Sequence, residues 1–494
     1  MPAPNGMAVF ATMLPTTLLV VLAAVGGLLG WRRPGLPPSF HRWLGALALV
    51  GAAAAALVAL RGVALSTNGV GLAAYAGGVV ADRFSAYAVL LLCGTGLIAI
   101  LTSGAAEERL GSRLPAYHAL ILTATAGGTI LAVQVEMGML VVGLGIVVIS
   151  LVGIVAMEKT AEAPGVAAFR SLISAGVALA LMLYGLAVVY GATGSTDLAA
   201  VRGHFLHSAP LEGLGLALTL LGLAYLVGAP PLHHWMLQVA SASSGAVAGA
   251  VVSLAVAAGG IALIRVTVSG FSATMHPWVV VAGVLGAAAC LYPALLSVVA
   301  GSVRRLIGLG ACLQGGLVLS ALVGSGRGSD LKPSGGVTAL LFGLVVFVLA
   351  IQASFQAVAR MEEDGIGGDL AGVRGLARRS PMAVVLLSLG LAGLAGLPPL
   401  AGFLVRILVA SSAVAGGYAW VAVAGVAASA IYAIAVLRWI GAAYVEDEEL
   451  PAVVPHAPRL ASVVGLACAL FGVVALLLAG PLLYAADGAA SVLR

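Results

Sequence analysis

Residues 389–406 read LGLAGLAGLPPLAGFLVR and combine a membrane-like composition with a helix breaker at their centre. A proline inside a helix removes a backbone hydrogen bond and clashes with the preceding turn, so Pro398 and Pro399 predict an interruption. At membrane depth the freed backbone groups must be satisfied by protein or by water. Arg406 ends the stretch at a position that the flanking apolar residues place inside the bilayer. The stretch therefore predicts a broken transmembrane helix that carries a buried charge.

An earlier stretch repeats this pattern. Residues 226–235 read LVGAPPLHHW, with Pro230 and Pro231 following a long apolar run, and both stretches contain G-x-P-P-L. Two interrupted apolar segments in corresponding positions of two halves are typical of inverted repeats around an ion or substrate path. This is the working hypothesis for the whole chain.

Composition sets the class of the protein. Of its 494 residues 62% are hydrophobic and 8% are charged, and the mean hydropathy is +1.15. Soluble domains carry about 25% charged residues, so the chain is predicted to be an all-α polytopic membrane protein. The net charge of +5 comes from basic residues scattered at helix ends, which indicates membrane topology and not nucleic-acid binding. The four cysteines lack C-x-x-C spacing, so no metal site is expected.

Apolar runs of about 20 residues predict about fourteen transmembrane helices. Lys and Arg are concentrated in the odd-numbered connections, which predicts that these are cytoplasmic and that both termini lie on the outer face. Arg265 is expected to be a helix-end anchor on the outer side. The acidic runs at 361–364 and 446–449 are expected to be solvated cytoplasmic faces, with docking to a soluble partner as the alternative.

Five further segments are distinctive: LMLYGLAVVYGATGST (181–196), GLAYLVGAPPLHHW (222–235), IALIRV (261–266), SVRRLIGLGACLQGG (302–316) and DLAGVRGLARRSPMAVVLLSLGLAGLAGLPPLAGFLVR (369–406). Together they resemble subunit N of bacterial respiratory complex I, an antiporter-like membrane subunit family. The match is collinear over roughly residues 80–445, and the YGATGST piece favours subunit N over related subunits.

The resemblance implies two inverted five-helix repeats, helices 4–8 and 9–13, in which helices 7 and 12 are broken. The expected units are therefore helices 1–3 (1–110), the first repeat (111–270), the second repeat (271–445) and helix 14 (446–494). The family moves protons along a central chain of lysines, a glutamate, histidines and water, driven by quinone reduction elsewhere in the complex.

Most of the family's channel residues are replaced when its motifs are placed on this chain without gaps. Gly145 stands where the family has its helix 5 glutamate, and Leu226 and Val256 stand where it has the lysines of helices 7 and 8. Only helix 12 keeps a basic residue, Arg406, while Arg170 takes the usual lysine position of helix 6. Arg170 is a proton-path candidate, although snorkelling to the cytoplasmic surface explains it better.

The distribution of lysine along the chain agrees with this loss of channel residues. The chain contains two lysines, Lys159 and Lys332, and both lie in connections. Arginine stays protonated in proteins and is a poor proton carrier, so Arg406 is predicted to keep a fixed charge without relaying protons. His233 and His234 beside the first break are the remaining titratable candidates. They either pass protons or cap carbonyl groups freed by the break.

The sequence thus predicts a non-redox membrane subunit of a complex I-like NADH:quinone oxidoreductase with reduced or lost conduction. A divergent copy of subunit N fits this combination. It has no catalytic centre and no cofactor of its own, whereas the complex uses NADH and quinone. The expected partners are other membrane subunits and the lipid bilayer, in the inner (plasma) membrane. The alternatives are a subunit of a cation/proton antiporter or hydrogenase-type complex, or a stand-alone secondary transporter.

Overall fold

A computed structural model provides the fold of the chain. It describes residues 6–33, 35–66, 71–74, 77–158, 162–204, 210–271, 277–324, 335–445 and 460–493. Helices dominate these residues, and a short antiparallel pair of strands, β1 Leu72–Ala74 and β2 Val79–Ala81, joins the second and third long helices.

The helices follow one another along the whole chain. The N-terminal group comprises α1 Gly6–Arg32, α2 Pro38–Ser66, α3 Arg83–Thr102, α4 Glu107–Leu110 and α5 Leu114–Val133. The next group comprises α6 Met137–Ala156, α7 Glu162–Thr193, α8 Leu198–His204, α9 Pro210–Ala224, α10 His234–Ala242 and α11 Gly245–Gly270. The last comprises α12 Pro277–Ser297, α13 Val303–Val323, α14 Gly335–Glu363, α15 Leu370–Val373, α16 Leu376–Arg379, α17 Pro381–Ala395, α18 Ala401–Ala415, α19 Ala419–Tyr444, α20 Leu460–Leu477 and α21 Ala479–Ala490.

The described residues contain eleven helical stretches that are long and apolar enough to cross a membrane. One of these stretches, 83–133, holds both α3 and α5. When these are counted separately, and the pairs α9/α10 and α17/α18 are each counted as one interrupted crossing, the total is fourteen. The prediction of an all-α polytopic membrane protein is confirmed. The inverted repeats and the four unit boundaries stay predictions.

The second break shows why glycine precedes the prolines. Helix α17 ends at Ala395, and Gly396 follows in the left-handed conformation with φ +69°. The Leu397 N–H donates to the Ala392 carbonyl at 3.0 Å, and the Gly396 N–H donates to the Gly393 carbonyl at 3.2 Å. These two bonds form a Schellman cap, which needs a residue with positive φ and satisfies carbonyls at the helix end. The prolines lack an N–H group and cannot continue the helix.

The first break has the same cap. Gly228 has φ +70°, and its N–H donates to the Tyr225 carbonyl at 3.0 Å. The Ala229 N–H donates to the Ala224 carbonyl, also at 3.0 Å. The shared G-x-P-P-L sequence therefore encodes one local structure twice: a left-handed glycine, a cap donor and two cis-linked prolines (Pro230–Pro231 and Pro398–Pro399).

Two helices at the centre of the chain enclose the first break. Helices α11 and α13 are buried along their length, whereas the outer helices expose many large apolar side chains. A Cβ at Gly259 of α11 would lie 2.6 Å from the Leu226 Cβ, and one at Gly315 of α13 would collide with the Val227 carbonyl oxygen. Small residues therefore let both helices pack directly on the broken segment, as is common inside membrane bundles.

We expect Gly228→Ala to destabilise the fold by about 1–2 kcal/mol, because a Cβ is unfavourable in the left-handed region. It would also lie 2.8 Å from the Met236 sulfur. The matched control is Gly176→Ala in α7, where a Cβ meets nothing within 4 Å. Thermal unfolding in detergent should show a lower Tm for Gly228→Ala alone. Equal Tm values for the two variants would contradict the cap assignment.

Candidate functional site at the two helix breaks

An aromatic pair closes the first break. The Trp235 indole N–H donates to the Tyr225 carbonyl at 2.8 Å, and the two rings are stacked with centroids 5.1 Å apart. The Tyr225 hydroxyl donates to the Ser171 carbonyl of α7 at 3.1 Å. A carbonyl near the break is thus satisfied by an indole, and the break is attached to α7. Sequence reasoning considered histidine as one candidate for capping and missed this tryptophan.

The two histidines lie beside the first break and face α12. His233 is 5% exposed. Its ring lies 4.8 Å from that of Tyr292 and 4.1 Å from that of His234, which is exposed. The pair therefore faces α12 and the surface of the chain. Both roles that the sequence leaves open, proton transfer and carbonyl capping, stay predictions.

The positions that the resemblance assigns to the family's lysines are packed with apolar side chains. Leu226 and Val256 are both fully buried. The cavity beside Leu226 measures about 10 Å³ and is lined mainly by aliphatic and aromatic residues. A cavity of about 10–15 Å³ holds at most one water, and that water needs polar partners. Gly145 differs, since a Cβ there would meet nothing within 4 Å and the residue is only half-buried.

Arg406 occupies the second break. Its Nε donates to Ser429 Oγ and its Nη1 donates to the Gly402 carbonyl, both at 2.9 Å, while Nη2 donates to the Leu394 carbonyl. The Leu394 carbonyl also accepts from the Gln314 side-chain amide of α13 at 2.7 Å. Arg406 therefore ties α18 to α19 and satisfies a carbonyl at the end of α17. The sequence placed this charge inside the membrane, and it is buried.

The proton-path candidates belong to three separate sets of contacts. The histidine pair contacts α12, Arg406 contacts α17 and α19, and Arg170 is exposed on α7. Within the described residues, no hydrogen bond or ring contact links the histidine pair, Arg406 and Arg170 to one another. The exposed position of Arg170 agrees with snorkelling, and the structure does not assemble the candidates into one site.

A buried ion pair joins the start of α3 to α11. The Arg265 Nη1 lies 2.6 Å from Asp82 Oδ2, and its Nε donates to the Gln134 carbonyl at 3.1 Å. Arg265 is 1% exposed and also lies over the Phe84 ring. The expectation of an outer helix-end anchor is therefore wrong, because the side chain turns inward toward a carboxylate.

Carboxylates also bind the start of the central helix α11. The Glu158 oxygens accept from the Ser244 N–H at 3.1 and 3.0 Å, and Glu362 Oε1 accepts from the Gly245 N–H at 3.0 Å. Negative charge is favourable at a helix N-terminus. Arg304 and Arg109 pair with Glu362 at 2.5 and 3.2 Å. These contacts join the predicted cytoplasmic ends of helices from both halves of the chain.

The acidic run at 361–364 is largely buried, which corrects the expectation of a solvated face. The Arg360 Nε donates to Asp364 Oδ2 at 3.1 Å, and the Ser380 hydroxyl donates to the same oxygen at 2.6 Å. These side chains hold the connection between α14 and α17 in place. The acidic run at 446–449, Lys159 and Lys332 lie outside the described residues.

The family described as NADH:quinone oxidoreductase/Mrp antiporter, TM matches residues 135–432, which include both breaks. The chain belongs to this family. NADH-quinone oxidoreductase subunit N 1 of Symbiobacterium thermophilum is 30% identical over 422 residues, covering 82% of this chain and 84% of that protein. The subunit N 1 of Solidesulfovibrio magneticus is 31% identical over 379 residues, covering 76% of this chain and 80% of that protein.

Solved structures of membrane complexes contain chains with the same fold. A chain of respiratory complex I from Thermus thermophilus with bound aureothin superposes with a TM-score of 0.78 at 26% identity, covering 95% of this chain and 98% of that chain. A chain of the Mrp complex from Dietzia sp. reaches 0.82 at 19% identity and covers 98% and 97% of the two chains. At 19% identity, the similarity to the Mrp chain concerns the fold alone. The NADH:quinone oxidoreductase/Mrp antiporter family fold thus spans nearly the whole chain.

We expect Arg265→Leu to reduce stability by about 3–5 kcal/mol, because it leaves Asp82 buried without its cation. The double variant Asp82→Asn/Arg265→Gln should recover most of this loss, which denaturant unfolding in mixed micelles would measure. The control is Arg83→Leu, which changes an exposed arginine at the same end of α3. If the single and double variants are equally unstable, the charge pair is not what stabilises this junction.

Burial raises the pKa of Glu158 above its ordinary value of 4.5, with the Ser244 bonds and Arg109 acting in the opposite direction. The folded chain therefore binds this proton more tightly than the unfolded chain, and ionisation of Glu158 above pH 4.5 lowers stability. We expect the stability of Glu158→Gln relative to wild type to increase from pH 4.5 to pH 8. Tm measurements across this range test it, with the exposed Glu108→Gln as control. A difference that falls with rising pH would reverse the sign of the argument.

Proposed function

We propose that this chain is the subunit N of a complex I-type NADH:quinone oxidoreductase, with a proton route that is diminished or lost. Its similarity to curated N subunits over most of their length supports the first part. The second part rests on one observation. At two positions where the family carries lysines, the chain has Leu226 and Val256, both fully buried in apolar packing.

This packing opposes proton transfer in two ways. A relay needs groups that gain and lose a proton near neutral pH, held within hydrogen-bond reach or linked by water. Leucine and valine cannot titrate, and the cavity of about 10 Å³ beside Leu226 leaves little room for water. Arg406 supplies a fixed positive charge at the second break, where it bonds neutral oxygen atoms.

The chain would work as a scaffold in the membrane arm, in contact with other membrane subunits and with lipid. It would hold no redox cofactor, while NADH and quinone would react on other subunits of the complex. We place it in the bacterial inner membrane with both termini on the outer face. The asymmetric distribution of Lys and Arg supports this orientation.

We expect the double variant His233→Ala/His234→Ala to leave the ratio of translocated protons to electrons unchanged. The reason is that, in the described part of the chain, no hydrogen bond links a ring nitrogen of His233 to another titratable side chain, and His234 is exposed. The measurement is NADH-driven proton uptake by inside-out membrane vesicles, normalised to quinone reduction. Arg170→Ala, which changes an exposed residue, is the matched control. A fall in the ratio for the histidine variant alone, at normal electron flux, would show a surviving relay.

A further inference from the structure

Arg406 is a buried cation whose hydrogen bonds go only to neutral groups. Its side chain is 7% exposed and donates to one serine hydroxyl and two backbone carbonyls. Throughout the part of the chain that the structure describes, no Asp or Glu lies within ion-pair distance of this guanidinium. Three of its five N–H groups are used by these bonds, so donors remain for an anion.

Two other buried arginines of the chain have carboxylate partners. Arg265 pairs with Asp82 at 2.6 Å, and Arg360 pairs with Asp364 at 3.1 Å. Burying an unpaired charge is strongly unfavourable, and at both of these sites the chain supplies the carboxylate itself. Arg406 departs from this pattern, which indicates that its counter-charge comes from outside the chain.

An apolar groove leads from the surface to Arg406. It encloses about 490 Å³ between α17, α18 and α19, and Arg406 is the one charged residue in its lining. Phe403 and Val426 flank it and are 41% and 55% exposed. The groove is therefore open to whatever surrounds the chain in the membrane, and its chemistry suits an apolar body that carries one negative charge.

Depth in the membrane selects the kind of occupant. Arg406 lies nine residues before the end of α18 at Ala415, or about 14 Å along the helix at 1.5 Å per residue. The hydrocarbon core is about 30 Å thick, so the guanidinium lies close to the bilayer midplane. Lipid headgroups stay at the bilayer surface. A carboxylate on a protein side chain can be carried at this depth by a transmembrane helix.

We propose that the groove at the second break is a docking site for a transmembrane helix of a neighbouring subunit, whose Asp or Glu pairs with Arg406. The proposal rests on the proposed role as a subunit of a membrane complex. The apolar flanks of the groove receive the body of that helix, and the ion pair fixes its depth and rotation. Desolvation makes such a pair selective, because a neutral partner would leave Arg406 without a counter-charge.

The test uses dicyclohexylcarbodiimide, a lipid-soluble reagent that modifies protonated carboxylic acids. It is applied to the complex in native membranes, and mass spectrometry then maps the labelled residues. In the wild type the partner's carboxyl is ionised beside Arg406 and labels slowly. In Arg406→Leu it takes up a proton, since the cation that lowered its pKa is gone, and labelling of one membrane Asp or Glu in another subunit rises about tenfold.

Three further variants make the result specific. Arg406→Lys keeps the positive charge and should keep labelling low, whereas the exposed control Arg438→Leu on α19 should behave as wild type. Val426→Trp fills the groove and retains the arginine, so it should expose the same carboxyl to the reagent. This last variant also tests the proposal if Arg406→Leu does not assemble.

The possible negative results distinguish the docking site from the proposed function. An intact complex in which no carboxyl gains label overturns the docking site and leaves the proposed function standing. The same is true if Arg406→Leu instead loses a tightly bound acidic lipid, which would make lipid the occupant. A wild-type chain that purifies without other subunits overturns the proposed function and the docking site together.

Discussion

A backbone that is broken at membrane depth must have its freed N–H and C=O groups satisfied by protein, and this constraint organises the chain. Both breaks meet it first with the same glycine cap, in which Gly228 or Gly396 takes a positive φ and two backbone bonds close the helix end. They differ in what completes the closure. An indole N–H serves the first break, and a guanidinium serves the second. Apolar groups thus complete the first break, and a charged group completes the second.

This difference between the two breaks bears on proton conduction. Aromatic stacking and close packing of α11 and α13 fill the first break, so Leu226 stabilises the bundle where a titratable side chain would open it to water. Most of the other buried charged side chains form ion pairs or hydrogen bonds away from the two breaks. Asp82 and Arg265 join α3 to α11, and Glu158 and Glu362 hold the start of α11. Each of these contacts ties helices together, which is what a scaffold requires.

Composition, spacing and the repeated G-x-P-P-L motif were enough to predict the class, the crossings and both breaks, because apolar length and proline chemistry are local properties of the sequence. Buried pairing was not predictable in the same way. Arg265 looked like a surface anchor and residues 361–364 looked like a solvated face, since a charge at a helix end has the same sequence whether it faces water or a carboxylate. The partners of these residues lie far away in the chain, as for Arg265 and Asp82. Only the folded chain shows them.

We infer that the first break excludes water, and radiolytic hydroxyl-radical labelling of the complex is a direct test. Met236 and Cys312 report on this region, because their sulfur atoms lie 3.8 Å apart beside the break and are readily oxidised. Both side chains are buried. We expect their oxidation to be far slower than that of half-buried Met382. Oxidation of Met236 or Cys312 at a rate comparable to Met382 would show that water reaches the break.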